Sequence, residues 1–74
     1  MNVKTIIVIE FKSGDTISVN SPEDTLFLME HIRNGFSHPS MTIGLKDIDG
    51  SWVILNAREF SYIKLYPEMS EPHE

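Results

Sequence analysis

The chain contains no cysteine, which removes disulfides, zinc-thiolate centres and cysteine nucleophiles together. A secreted domain this small is ordinarily stapled by disulfides, so the expected compartment is a reducing cytoplasm. Glycine is scarce and never clustered: Gly14, Gly35, Gly44 and Gly50 stand apart, so no phosphate-cradling loop is present. Basic residues are also few. Lys4, Lys12, Arg33, Lys46, Arg58 and Lys64 are spread along the chain against eleven acidic residues, for a net charge of −5. That balance repels phosphate backbones and disfavours nucleic-acid binding. No long apolar run occurs. The first, Ile6-Ile7-Val8-Ile9, is closed by Glu10 and Lys12, too short for a signal peptide or a membrane span.

What is present is a tension. Ile6-Ile7-Val8-Ile9 and Trp52-Val53-Ile54-Leu55 are apolar on both faces of the strand each forms, because successive side chains of a strand point to opposite faces. A chain of 74 residues buries only about 60% of the surface its unfolded form exposes. It therefore needs nearly all its apolar surface covered, or help from association. One domain is expected over residues 1–67, followed by a disordered tail over 68–74 that is polar and acidic, with Glu68, Glu71 and Glu74.

Alternation over residues 4–12 places Ile7, Ile9 and Phe11 on one face of a first strand and Ile6, Val8, Glu10 and Lys12 on the other. Ser13-Gly14-Asp15 is turn chemistry, and the alternating Thr16-Ile17-Ser18-Val19 completes a hairpin with Ile17 and Val19 inward. Ser21-Pro22-Glu23-Asp24 reads as a helix start, with Ser21 as the cap, Pro22 at the first helical position and the two acids on the positive end of the dipole. Leu26, Met29 and Ile32, with Leu28 four residues before Ile32, form the expected apolar stripe. Asn34-Gly35 is the expected stop. Met41, Ile43 and Leu45 alternate as a third strand, Asp47-Ile48-Asp49-Gly50 makes a turn, and residues 51–56 form a fourth. A single helical turn over 56–60 precedes a fifth strand with Ile63 and Leu65 inward.

The order ββαβββ predicts an α+β fold. A single helix packs on a strongly bent antiparallel sheet or on a small SH3-like or Sm-like partial barrel. One amphipathic helix covers one face, so the second face is closed either by curling or by another chain.

No reaction is spelled out. His31, His38 and His73 are the only imidazoles, and they fall on the helix, in a loop and in the tail; His38, between Ser37 and Ser40, is the one loop candidate. Neither serine sits in a nucleophile elbow. Asp47 to Gly50 has the look of a calcium loop, but Leu45 stands where an oxygen ligand belongs, and Asn56 stands where the closing carboxylate belongs. Catalysis, metals and cofactors are therefore not expected. The aromatic residues Trp52, Tyr62 and Tyr66, with Ile6 and Val8, are the candidate interface: aromatics anchor protein interfaces, and they also stack bases.

The stretch Ile43-Gly44-Leu45-Lys46-Asp47 through Asp49-Gly50, Val53 and Asn56, then Ile63-Lys64-Leu65, together with Phe11-Lys12-Ser13-Gly14-Asp15, resembles small uncharacterised proteins of Gram-positive bacteria and their phages. That resemblance spans most of residues 4–66 and implies an accessory protein that acts by binding. The last two strands also look like an Sm-type RNA-binding hairpin, although a typical Sm domain opens with its helix. The expected function is thus a non-enzymatic protein-binding module, an adaptor or inhibitor of a larger cytoplasmic protein and a homodimer. Single-strand nucleic-acid binding through Tyr62, Lys64 and Tyr66 is the alternative. Because the Asp47 to Gly50 segment lacks two oxygen ligands, millimolar calcium should leave the melting temperature unchanged; a clear upward shift in a thermal melt would show that the loop binds the ion.

Overall fold

A computed structural model describes residues 2–67 of the chain. The expected tail over 68–74 lies outside the described residues. In order, the elements are β1 (Thr5–Phe11), β2 (Thr16–Ser21), α1 (Thr25–Ser37), β3 (Thr42–Lys46), β4 (Trp52–Asn56) and β5 (Phe60–Pro67). The α+β class and the ββαβββ order are as the sequence implies. The strands divide between two antiparallel sheets that stay open: a three-stranded sheet in the order β2-β1-β5, and the β3-β4 hairpin.

β1 is the central strand, and its alternation decides the core. Ile7 stands opposite Val19 on β2 and Leu65 on β5, and Ile9 stands opposite Ile17 and Ile63. Ile7 and Ile9 are both 0% exposed. The second sheet adds Ile43, Leu45 and Leu55, and α1 adds Leu28 and Ile32. Both hairpins turn as expected, since Gly14 and Gly50 take positive φ values of 100° and 92° that side-chain-bearing residues rarely adopt. The two sheets are tied at Asn20, whose N–H donates to Asp47 Oδ2 at 3.0 Å and whose carbonyl accepts from the Ile48 N–H at 2.9 Å. Asp47 thus serves as a bridge between sheets rather than only as a turn residue.

The helix departs from expectation at both ends and in its facing. Its N-cap is Asp24, whose carboxylate accepts from the Leu26 N–H at 3.0 Å. Ser21 closes β2 instead, buried and accepting from the Glu23 N–H at 3.1 Å. Pro22 and Glu23 consequently precede the helix, and its first turn holds no acidic residue. The buried stripe is Leu28 and Ile32, while Leu26 and Met29 are exposed. A helix apolar at 26, 27, 28, 29 and 32 offers two overlapping stripes, and tertiary packing selects between them.

Gly35 does not stop the helix, which continues to Ser37 with His38 as its C-cap. Gly35 lies one turn beyond Ile32, against β3. A Cβ added there would sit 2.5 Å from Ile43 Cγ1, so the absence of a side chain is what lets the helix approach the second sheet. Gly35→Val should therefore lower the unfolding free energy by about 2 kcal/mol through overpacking, read as a drop in the urea midpoint. Asn34→Val, one position away on an exposed site, serves as the propensity control and should change the midpoint little. Equal midpoints for the two variants would contradict the close-approach role.

Candidate functional site

The antiparallel register brings four of the five candidate interface residues together. Ile6 and Val8 lie on the face of β1 turned away from the core, with Tyr66 and Lys64 of β5 directly opposite them, and Glu10 faces Tyr62. Across β1, Asn20, Ser18 and Thr16 of β2 occupy the partner positions. The outer face is thus a half-buried Ile6-Val8 strip bordered by an aromatic rail on β5 and a hydroxyl and amide rail on β2. The Lys64 ammonium stands 5.5 Å from the Tyr62 ring centre, within cation-π reach.

Trp52 is not part of this face. It lies on the outer face of the β3-β4 hairpin with Lys46 directly opposite and its ammonium 6.0 Å from the indole ring. Trp52 is 61% and Ile54 65% exposed, and they flank the bare backbone of Gly44. On the helix, Phe27 stacks on His31 with ring centres 6.1 Å apart, and His31 Nε2–H donates to the Gly44 carbonyl at 2.8 Å. The Trp52 to Leu55 run is therefore apolar on both faces without being covered on both: β4 is an edge strand with an exposed outer row.

His38 is absorbed by its own turn. Its Nδ1 accepts from the Ser40 N–H at 3.2 Å and lies 3.0 Å from Ser40 Oγ. The Thr42 N–H donates to Ser40 Oγ at 3.4 Å, so the pair forms a short-range contact within a surface loop. Met41, next in the chain, takes a left-handed φ of 54° as it enters β3. Among the described residues, no group of three or more His, Asp or Glu side chains is placed to hold a metal ion.

A feature absent from the sequence reading is the free edge of β5. Antiparallel ladders alternate, with every second residue turning its N–H and C=O to a given neighbour. The Phe11 N–H bonds the Asp15 carbonyl and the Lys12 N–H bonds the Glu59 carbonyl. Odd residues of β1 therefore point to β2 and even ones to β5. By the register, Tyr62, Lys64 and Tyr66 turn their backbone groups to β1, while Ile63 and Leu65 turn theirs outward. No described strand pairs with them. Ser61 is the extra residue where the register shifts between Glu10 and Phe11, and Pro67 at the far end has no N–H to offer.

Alongside this edge, under α1, lies an apolar groove of about 420 Å³ lined chiefly by Met29, Ile32, Phe36, Phe60, Ile63 and Leu65. Met29 and Phe36 remain 46% and 45% exposed as its upper lip, and Phe36 is braced on Phe60 with ring centres 5.8 Å apart. The signal for this groove was in the sequence as the apolar helix positions left over once Leu28 and Ile32 are buried. It became readable only when the helix facing was known.

Compared with protein-family models, with curated proteins and with solved structures, the chain matches none.

The electrostatics of the outer face centre on Tyr62. The Glu10 carboxylate beside it, as hydrogen-bond acceptor and as a negative charge, pushes its hydroxyl above the ordinary 10.0. Because the folded-state pKa is raised, folding favours protonated Tyr62; that contribution is present below pH 10 and is lost as pH climbs through the raised value. In a Tyr66→Phe background, Glu10→Gln should bring the Tyr62 transition down toward its ordinary value in a tyrosinate absorbance titration. An unmoved transition would show that Glu10 is not the cause.

Proposed function

We propose that this chain is a non-enzymatic protein-binding module that takes an extended protein segment as an added strand along β5. The observation that carries this reading is the unpaired β5 edge lying beside the groove under α1. An added strand meets three kinds of contact there. Its backbone bonds the outward groups of Ile63 and Leu65, its inward side chains enter the groove, and its outward ones lie beside Tyr62 and Tyr66. Such a segment alternates apolar and polar residues, and the chain's charge of −5 favours a neutral or basic one. The role is that of an adaptor or inhibitor, in keeping with the binding-type accessory proteins that the strand-and-turn layout resembles.

Nucleic acid is the weaker reading. Lys64 over Tyr62, with Tyr66 on the same face, gives a stacking rail, but Glu10 sits within it and no second cation joins Lys64 among its partners in register.

The test uses short peptides of alternating apolar and polar residues, titrated into the isotopically labelled chain. Expected are shift changes and slowed amide exchange confined to Ile63, Leu65 and the groove side chains. A chain with Leu65 N-methylated on its backbone, made by chemical ligation, should fold normally and lose this binding, because that N–H plays no part in the β1-β5 ladder. Perturbation elsewhere with none on β5 would refute strand addition.

A further inference from the structure

We propose that the strand added to β5 is β5 of a second copy, paired antiparallel about a two-fold axis through Ile63. This rests on the reading of β5 as a strand-addition edge and names its occupant.

The argument is one of register. Pairing must join residues whose N–H and C=O both face outward, and within β5 these are Ile63 and Leu65, with Ser61 at the bulge. An axis through Lys64 sets Lys64 directly against its own copy, and like charges directly opposite are destabilising. An axis through Leu65 sets Ile63 against Pro67, which has no N–H to return. An axis through Tyr62 carries Leu65 to Glu59, beyond the first residue of the strand at Phe60.

An axis through Ile63 avoids all three faults. Ile63 exchanges two backbone bonds with its copy. Tyr62 of each copy faces Lys64 of the other, repeating across the interface the cation-π pair already made within the chain at 5.5 Å. Leu65 of each copy comes opposite Ser61, a small residue on the groove wall. The axis runs perpendicular to the sheet, so core faces meet core faces. Ile63 and Leu65 of one copy therefore enter the groove beneath Met29 and Phe36 of the other. The result is a six-stranded sheet, β2-β1-β5-β5-β1-β2, whose outer face carries both Ile6-Val8 strips.

The β4 edge is the competitor. The Asp47 N–H to Ser51 carbonyl and Ala57 N–H to Met41 carbonyl bonds turn odd residues of β4 to β3, leaving Trp52 and Ile54 with outward backbone groups. The hollow that Trp52 of that strand helps to line, with Phe27, His31 and Lys46, is about 110 Å³ against about 420 Å³ beside β5, and the turn that precedes β4 carries Asp47 and Asp49.

Sedimentation equilibrium of the full chain tests the proposal. At about 100 μM, an ordinary range for a small self-associating domain, the expected mass is twice 8.5 kDa, with the amides of Ile63 and Leu65 protected from exchange. Tyr62→Lys places lysine opposite Lys64 in two symmetric pairs and should weaken the dimer about tenfold. Adding Lys64→Glu to that variant puts opposite charges in the same two positions and should restore it. A dimer indifferent to Tyr62→Lys, or one whose protection maps to β4, overturns the register. A monomer that still takes alternating peptides at Ile63 and Leu65 overturns self-pairing and leaves strand addition standing. A monomer that takes none overturns both.

Discussion

The structure depends on a strip of three residues along one face of β1: Thr5, Ile7 and Ile9, each 0% exposed. They sit at the centre of the larger sheet, so β2, β5, α1 and the β3-β4 hairpin are all arranged to keep water from them. Burying each isoleucine contributes about 1.5–3 kcal/mol, and both are flanked on two sides by apolar partners in register. Thr5 completes the strip with polar chemistry. Its hydroxyl donates to the Glu23 carbonyl at 2.9 Å and lies 2.8 Å from the Thr25 hydroxyl. A threonine has one proton to give, so Thr25 is the donor in the second bond. The two bonds fasten the start of α1 to β1, and with the Asp24 cap they fix where the helix begins and which side it turns to the sheet.

From that anchoring follows the unequal coverage of the molecule. One helix of thirteen residues must serve two sheets. It does so by lying against β3 at Gly35 while leaning over β5 with Met29 and Phe36. The close approach at Gly35 and the open groove at β5 are two sides of one placement: a helix drawn toward the second sheet leaves room along the far edge of the first. The outer faces of both sheets are left to half-buried or exposed residues, Ile6 and Val8 on one, Trp52 and Ile54 on the other.

What could be read from the sequence was whatever is decided by near neighbours. The period-two pattern of Ile7, Ile9 and Phe11 assigned the inner face of β1, and Ile17, Val19, Ile63 and Leu65 followed in the same way. Gly14 and Gly50 marked their turns because the backbone there needs a conformation that few residues accept. The helix facing was not legible because its apolar positions run nearly all round, so Leu26 and Met29 weigh as much in a periodicity argument as Leu28 and Ile32. Its start was misplaced because Ser21 and Asp24 are both good caps. Ser21 spends its hydroxyl on the Glu23 N–H in a turn just before the helix. Gly35 carried the composition of a stop signal while its use is a close packing contact. The candidate face was half legible. Ile6, Val8, Tyr62 and Tyr66 share it because parity and register agree, whereas Trp52 depends on which strands pair. β5 pairs with β1, distant in sequence, and not with adjacent β4, and no local rule states that.

The two open sheets have four edge strands among the described residues; β2 is tied at Asn20 to Asp47 and Ile48 just past β3, and β5 and β4 are the edges that govern how the chain can associate. If β4 of one copy met β5 of the next, the contact would be heterologous, and nothing would stop it from repeating into a filament. Self-pairing of β5 is isologous and closes on itself after two copies. Three features keep the edge from pairing at large: the bulge at Ser61, Pro67, and Lys64 between them. They confine pairing to a short window whose symmetric registers differ sharply in charge and in available N–H groups. The same three residues that guard β5 against indiscriminate strand addition are what make one partner and one register distinguishable from the rest.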